Sequence, residues 1–159
     1  MRKMLIGIHD KNCSLRAVTY VMKQYLSVRE LDVTFVHVFP NLPAKYWDDG
    51  HLLNDKEKQE REKAIDASMA KERDYIEPII DGAMNELVKK GFARERVHMK
   101  YVLGSADVAD SLLDEAAKEK CDTIVIGRCG LADGKHLLVG SIVSKLIHKA
   151  TGIAICVVQ

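Results

Sequence analysis

Five short apolar runs, at residues 4–8, 33–39, 97–103, 122–126 and 153–158, recur along the chain, and each is separated from the next by a segment with helical periodicity. Strands this short and apolar are covered on both faces. A strand, a helix and a second strand in succession close as a parallel, right-handed unit. The pattern therefore predicts an α/β fold, a doubly wound five-stranded parallel sheet with helices on both sides. In such sheets ligands bind at the carboxyl ends of the strands, where strand order reverses. An order of 3-2-1-4-5 would set strands one and four side by side there, although the pattern alone does not select that order.

The segments between the runs differ in character. After the first run, Asn12 and Ser14 are candidate helix caps ahead of LRAVTYVMKQYL, whose apolar residues recur at helical spacing. The second run, VTFVHVF, is β-branched and aromatic and stops at Pro40; His37 within it reads as a packed strand residue. Residues 41–54 mix Pro, Gly, Asp and Trp47 without period and read as an irregular loop. Residues 55–90 read as one long helix. They carry Ile65, Met69, Ile76, Ile80, Met84 and Leu87 at spacings of three, four and seven, with a disturbance expected at Pro78 and a stop at Gly91. The charged first half of this helix reads as a solvated face. Helices are also expected over DVADSLLDEAAKEK and GSIVSKLIHKA, the latter ending at a Thr151-Gly152 break.

With 159 residues and 47% apolar side chains, the chain can bury one sizeable core, and no composition break divides it, so residues 1–159 are expected to form a single domain. The 24 basic and 23 acidic residues leave a net charge of +1, which gives no global field for nucleic acid or an anionic membrane. No run approaches the ~20 apolar residues of a membrane span, and a cytoplasmic protein is expected. Cys13, Cys121, Cys129 and Cys156 lack CxxC or metal spacing, which suits free thiols in a reducing compartment.

Residues 124–147, IVIGRCGLADGKHLLVGSIVSKLI, run from an apolar strand through a glycine-bearing loop into an amphipathic helix. This reads as a phosphate cradle. Gly127, Gly130 and Gly140 would take positive φ angles and come close to a ligand, while the first N–H groups of the helix and the Ser141 hydroxyl would attract an anion. The spacing Gly127-x2-Gly130-x9-Gly140-Ser141 resembles the nucleotide-binding signature of the universal stress protein family. The resemblance extends over almost the whole chain, including the His37-Val38 pair ending strand two and the final apolar strand.

That resemblance implies a Rossmann-like fold, similar to the adenine nucleotide α-hydrolases, with sheet order 3-2-1-4-5. It also implies a homodimer through the last strand, Ile153 to Val158, and a stress-response module binding ATP, with Mg²⁺ held by the phosphates. Carried over position by position, it implies that Gly127, Gly130, Gly140 and Ser141 hold the phosphates, Ile142 and Val143 open the helix beneath them, and Ile126 and Val38 flank the adenine or ribose. Val143 stands where a Thr or Ser is frequent in the family. The family's Pro-x-Asp on strand one corresponds to Gly7, Ile8 and His9, with Asp10 one position later, so His9 or Asp10 is expected to contact the nucleoside. Arg128 could pair with phosphate through its planar fork, and Lys135 and His136 could add charge.

Two other functions bear on the same residues. A nucleotide-independent dimeric interaction module would retain the loop as architecture and use the charged helix and the Trp47 loop as partner surface. An adenylating enzyme would need an SGGxDS-like loop after strand one, whereas residues 9–14 read HDKNCS. No GxxxxGK[ST] loop and no nucleophile triad stand out, so no dedicated catalytic residue and no protein metal site is expected, with slow ATP hydrolysis still allowed.

Overall fold

The computed structural model describes residues 2–9, 11–28, 30–39, 54–103, 107–128 and 140–159. Strand and helix alternate through β1 (Arg2–Gly7), α1 (Lys11–Tyr25), β2 (Leu31–Phe39), α2 (Asp55–Lys89), β3 (Val97–Leu103), α3 (Val108–Glu119), β4 (Thr123–Gly127), α4 (Ser141–Lys149) and β5 (Ala154–Val158). All five strands pair in parallel in the order β3-β2-β1-β4-β5, so the expected doubly wound topology is present, with β1 and β4 adjacent and β3 and β5 at the edges.

Successive side chains on a strand point to opposite faces, and the central strands carry apolar residues at both parities. One apolar layer joins Met4, Ile6, Val33, Phe35 and Val125 of the sheet to Ala17, Val18 and Val21 of α1 and to Ile76, Ile80, Ala83, Met84 and Leu87 of α2. The opposite layer joins Leu5, Val36, Val38, Ile124 and Ile126 to Ala109, Leu112 and Ala116 of α3 and to Val143 and Leu146 of α4. At ~25 cal/mol per Å² of apolar surface removed from water, these two layers are the main source of stability.

α2 starts with a reciprocal cap in which Asn54 Oδ1 accepts the Glu57 N–H at 2.9 Å and Glu57 Oε2 accepts the Asn54 N–H at 2.9 Å. The helix runs 35 residues through Pro78 as one element, so the expected disturbance does not divide it. It closes where Gly91 adopts φ +107°, which favours glycine. None of the residues 55–75 is buried; burial begins at Ile76.

Two expectations near the chain start are corrected. α1 begins at Lys11, so Asn12 and Ser14 sit inside its first turn instead of capping it, and Ser14 is buried. On edge strand β3, Lys100 Nζ donates to Glu115 Oε1 at 2.9 Å and also pairs with Glu119. Glu115 is buried, and these hydrogen bonds hold the Lys100 ammonium above its ordinary pKa and the Glu119 carboxyl below its own. Among the described residues no helix is long and apolar enough to cross a membrane.

Candidate functional site

The carboxyl ends of β1, β2 and β4 meet the first turns of α3 and α4 around an open cleft. It is lined by Gly7, Ile8 and His9 from the end of β1, Val36 and Val38 from β2, Ile126 from β4, Val108 and Leu112 from α3, and Ile142 from α4. Gly7 lies at the parity that faces α3, and it has no side chain to fill the space. A Cβ there would stand 3.6 Å from Leu112 Cδ1 and 3.8 Å from Ile126 Cδ1. The walls are apolar, as a site for a flat ring system requires, and the α4 N-terminus presents N–H groups without intrahelical acceptors at the same end of the sheet.

Of the residues expected from the sequence, Ile8, His9, Val38, Ile126 and Ile142 line this cleft together. Gly140 is the N-cap of α4 and Ser141 its first residue, both exposed. Val143 is buried in the layer between α4 and the sheet, so its side chain packs in the core. Asp10, Gly130, Lys135 and His136 lie outside the described residues, as do Cys129 and Trp47. Gly7, Val36, Val108 and Leu112 were not expected; the alternating parity of β2 and the helical period of α3 are the signals that could have found them.

Two of the glycines lack the positive φ expected of them. Neither Gly127 nor Gly140 has a positive φ, and Gly140 sits at φ −53°, ψ 149°, which any residue adopts. A Cβ on Gly127 would overlap the Cys13 carbonyl, so this glycine lets the first turn of α1 rest directly on the end of β4. Among the described residues, a Cβ on Gly140 would meet nothing within 4 Å.

Four further contacts lie at or behind the site. His37, on the face of β2 opposite Val38, places Nδ1 2.7 Å from the Ile8 carbonyl oxygen. A carbonyl only accepts, so Nδ1 carries the proton, and the imidazole braces a cleft residue from behind. Its Nε2 is 3.3 Å from Glu72 Oε1, a close polar contact that lacks hydrogen-bond geometry. The Ala109 N–H donates to Asp107 Oδ1 at 2.8 Å, capping α3, while Lys145 donates to Oδ2. The Lys145 bond, followed by that of Ala109, holds the Asp107 carboxyl below its ordinary pKa and ties α3 to α4 beside the cleft.

The cysteine reading is corrected at one position. Cys13 is disulfide-bonded, whereas Cys121 and Cys156 are free. Burial pushes the Cys121 thiol up to about 11, which makes it a poor nucleophile. Among the described residues no group of three or more His, Cys, Asp or Glu side chains could hold a metal ion.

Against known proteins, residues 1–156 match the model of the Universal stress protein family. No curated protein matches the chain. Among solved structures, a hypothetical protein whose biochemical function was assigned from its structure superposes with a TM-score of 0.72 at 20% identity, covering 99% of this chain and 94% of that one. The universal stress protein from Archaeoglobus fulgidus in complex with dAMP superposes with a TM-score of 0.59 at 15% identity, covering 100% and 98%. A universal stress protein family member from Arabidopsis thaliana with AMP bound gives 0.57 at 12% identity, covering 100% and 93%. At these identities the likeness shows the fold.

Proposed function

We infer, for a chain that belongs to the universal stress protein family, that the cleft takes an adenine nucleotide, with ATP as the physiological ligand. The observation that carries this reading is the coincidence, at one end of the sheet, of an apolar slot opened by Gly7 and a helix N-terminus entered through Gly140. The slot accepts a base between Val38, Ile126 and Leu112. The α4 N–H groups and the Ser141 hydroxyl donate to phosphate oxygens, since a helix N-terminus favours an anion. The structures of relatives holding dAMP and AMP support the same chemistry. Mg²⁺ is held by phosphate oxygens and water. The protein acts as a nucleotide-dependent stress-response signalling module in the cytoplasm, without a dedicated catalytic group.

Titration of dialysed protein with ATP, with and without Mg²⁺, is expected to saturate with a submillimolar Kd. Failure to saturate at millimolar nucleotide overturns the reading. The module pairs through β5, whose outer backbone groups have no neighbouring strand among the described residues. Light scattering is expected to report a dimer at micromolar concentration and a monomer for Ile155→Pro, which removes a ladder donor. A monomeric wild type, or a variant that stays dimeric, would exclude this interface.

A second reading draws on α2, where no residue from 55 to 75 is buried and charge of both signs is presented to solvent. There the protein is a nucleotide-independent dimeric interaction module, and a protein partner retained by Gly140→Val distinguishes it.

A further inference from the structure

The wall that β1 gives to the cleft ends in a peptide group held from two sides. The Ile8 carbonyl oxygen lies 2.7 Å from His37 Nδ1, and the N–H of the same peptide group, that of His9, donates to Ser14 Oγ at 3.3 Å. A peptide group is planar, with its C=O and N–H opposed, so two such bonds fix how it is turned about the chain. The Ile8 N–H donates to the Val36 carbonyl at 2.9 Å, which fixes the preceding peptide group as well. Ile8 and His9 both line the cleft. The His37 ring is locked by its packing: the residue is 1% exposed, and Phe39 and Tyr101 meet the ring in T-shaped contacts with centroids 5.4 Å and 6.3 Å away.

We propose that His37 is a positioning residue for the nucleoside half of the site. It acts through the Ile8 carbonyl, setting the peptide group that joins Ile8 to His9 and with it the direction of both side chains at the cleft. This rests on the nucleotide reading above. His37 faces Glu72 of α2, whereas the cleft lies on the Val36 and Val38 side of β2, so the imidazole acts without touching the ligand. Groups already held in place lose less freedom when a ligand binds, so such a contact enters the affinity from behind. Core filling alone does not account for a histidine here. A buried imidazole is costly unless its polar atoms are satisfied, and Nε2 has no hydrogen bond among the described residues. An apolar side chain would avoid that cost, but it would leave the Ile8 carbonyl without its side-chain donor.

The test compares wild type, His37→Asn, His37→Gln and Ser14→Ala by calorimetric titration with Mg²⁺ and ATP, by thermal melting of the nucleotide-free proteins, and by amide exchange at His9. Asparagine carries its amide nitrogen as many bonds from Cβ as histidine carries Nδ1, whereas the amide nitrogen of glutamine falls near the place of Nε2. His37→Gln is therefore expected to raise the ATP Kd about tenfold and to speed exchange at His9, and His37→Asn to recover most of the affinity. Both variants lose the ring that packs on Phe39 and Tyr101, so their melting temperatures are expected to fall alike. Ser14→Ala frees the other side of the same peptide group and is expected to weaken binding as well. An unchanged Kd in His37→Gln overturns the proposal. So does an equal loss of affinity in the Asn and Gln variants, since that would mark general support of the fold. If His37→Gln does not fold, full affinity in Ser14→Ala overturns it. A wild type that never saturates refutes the nucleotide reading instead. Exchange at His9 then decides the positioning role alone, and an unaltered rate in His37→Gln overturns it.

Discussion

Gly127→Ala is expected to lower stability by about 3 kcal/mol or more, whereas Gly140→Ala should change it by less than about 0.5 kcal/mol. The two glycines belong to one spacing pattern in the sequence, yet their surroundings are opposite. At Gly127 the new methyl would overlap the carbonyl carbon and oxygen of Cys13, which are backbone atoms of a helix and cannot swing aside as a side chain would. α1 would have to lift from β4, straining the Ser14 to His9 and Arg16 to Arg128 hydrogen bonds on the way. At Gly140 the methyl meets no described residue within 4 Å and grows from a backbone with φ −53°. Urea denaturation of both variants checks this, and equal midpoints would refute the packing role of Gly127. Gly140→Val then becomes the cleaner probe of ligand binding, because any loss of nucleotide affinity there is not a loss of fold.

Gly7→Val is expected to raise the nucleotide Kd about 100-fold while costing stability by no more than ~1–3 kcal/mol. A Cβ at this position makes ordinary contacts, 3.6 Å to Leu112 and 3.8 Å to Ile126, so alanine fits and the strand accepts a β-branched residue. The two additional methyls of valine, however, extend into the slot between Val36, Leu112 and Ile126. Gly7→Ala should fall between wild type and valine. Calorimetry paired with circular dichroism melting reads both quantities, and full affinity in Gly7→Val would mean that the base does not occupy the cleft.

Much of this architecture was legible because burial and period are local signals. Apolar runs at both parities gave the parallel sheet, and the family resemblance supplied its order. The long spacing pattern from Ile65 to Leu87 gave α2, and a single proline was too little to break a helix whose second half is anchored in the core. The misreadings were of through-space contacts. Ser14 looked like a cap because short hydroxyls favour helix starts, but its oxygen is taken by the His9 N–H one turn before. The packing role of Gly127 went unseen because nothing in the sequence tells that a carbonyl of α1 lies against it. Arg16 drew no notice, since an arginine on an exposed helix face is ordinary until its partner, far along the chain, comes into view. The cleft was half legible: Ile8, His9, Val38, Ile126 and Ile142 came from motif positions, whereas Leu112 and Val108 enter only when α3 is laid across the sheet.

The two edges of the sheet are not equivalent, and that difference sets the form any assembly can take. β5 is short and apolar. β3 carries Lys100, bound to Glu115 and Glu119 of α3, so stacking another strand there would disturb a charged network and strip water from it. A sheet able to add copies at both borders has no reason to stop and grows toward a filament. With only one border open to a second copy, the proposed pairing through β5 would be self-limiting: such an association closes at two, with the charged border as a terminator of growth.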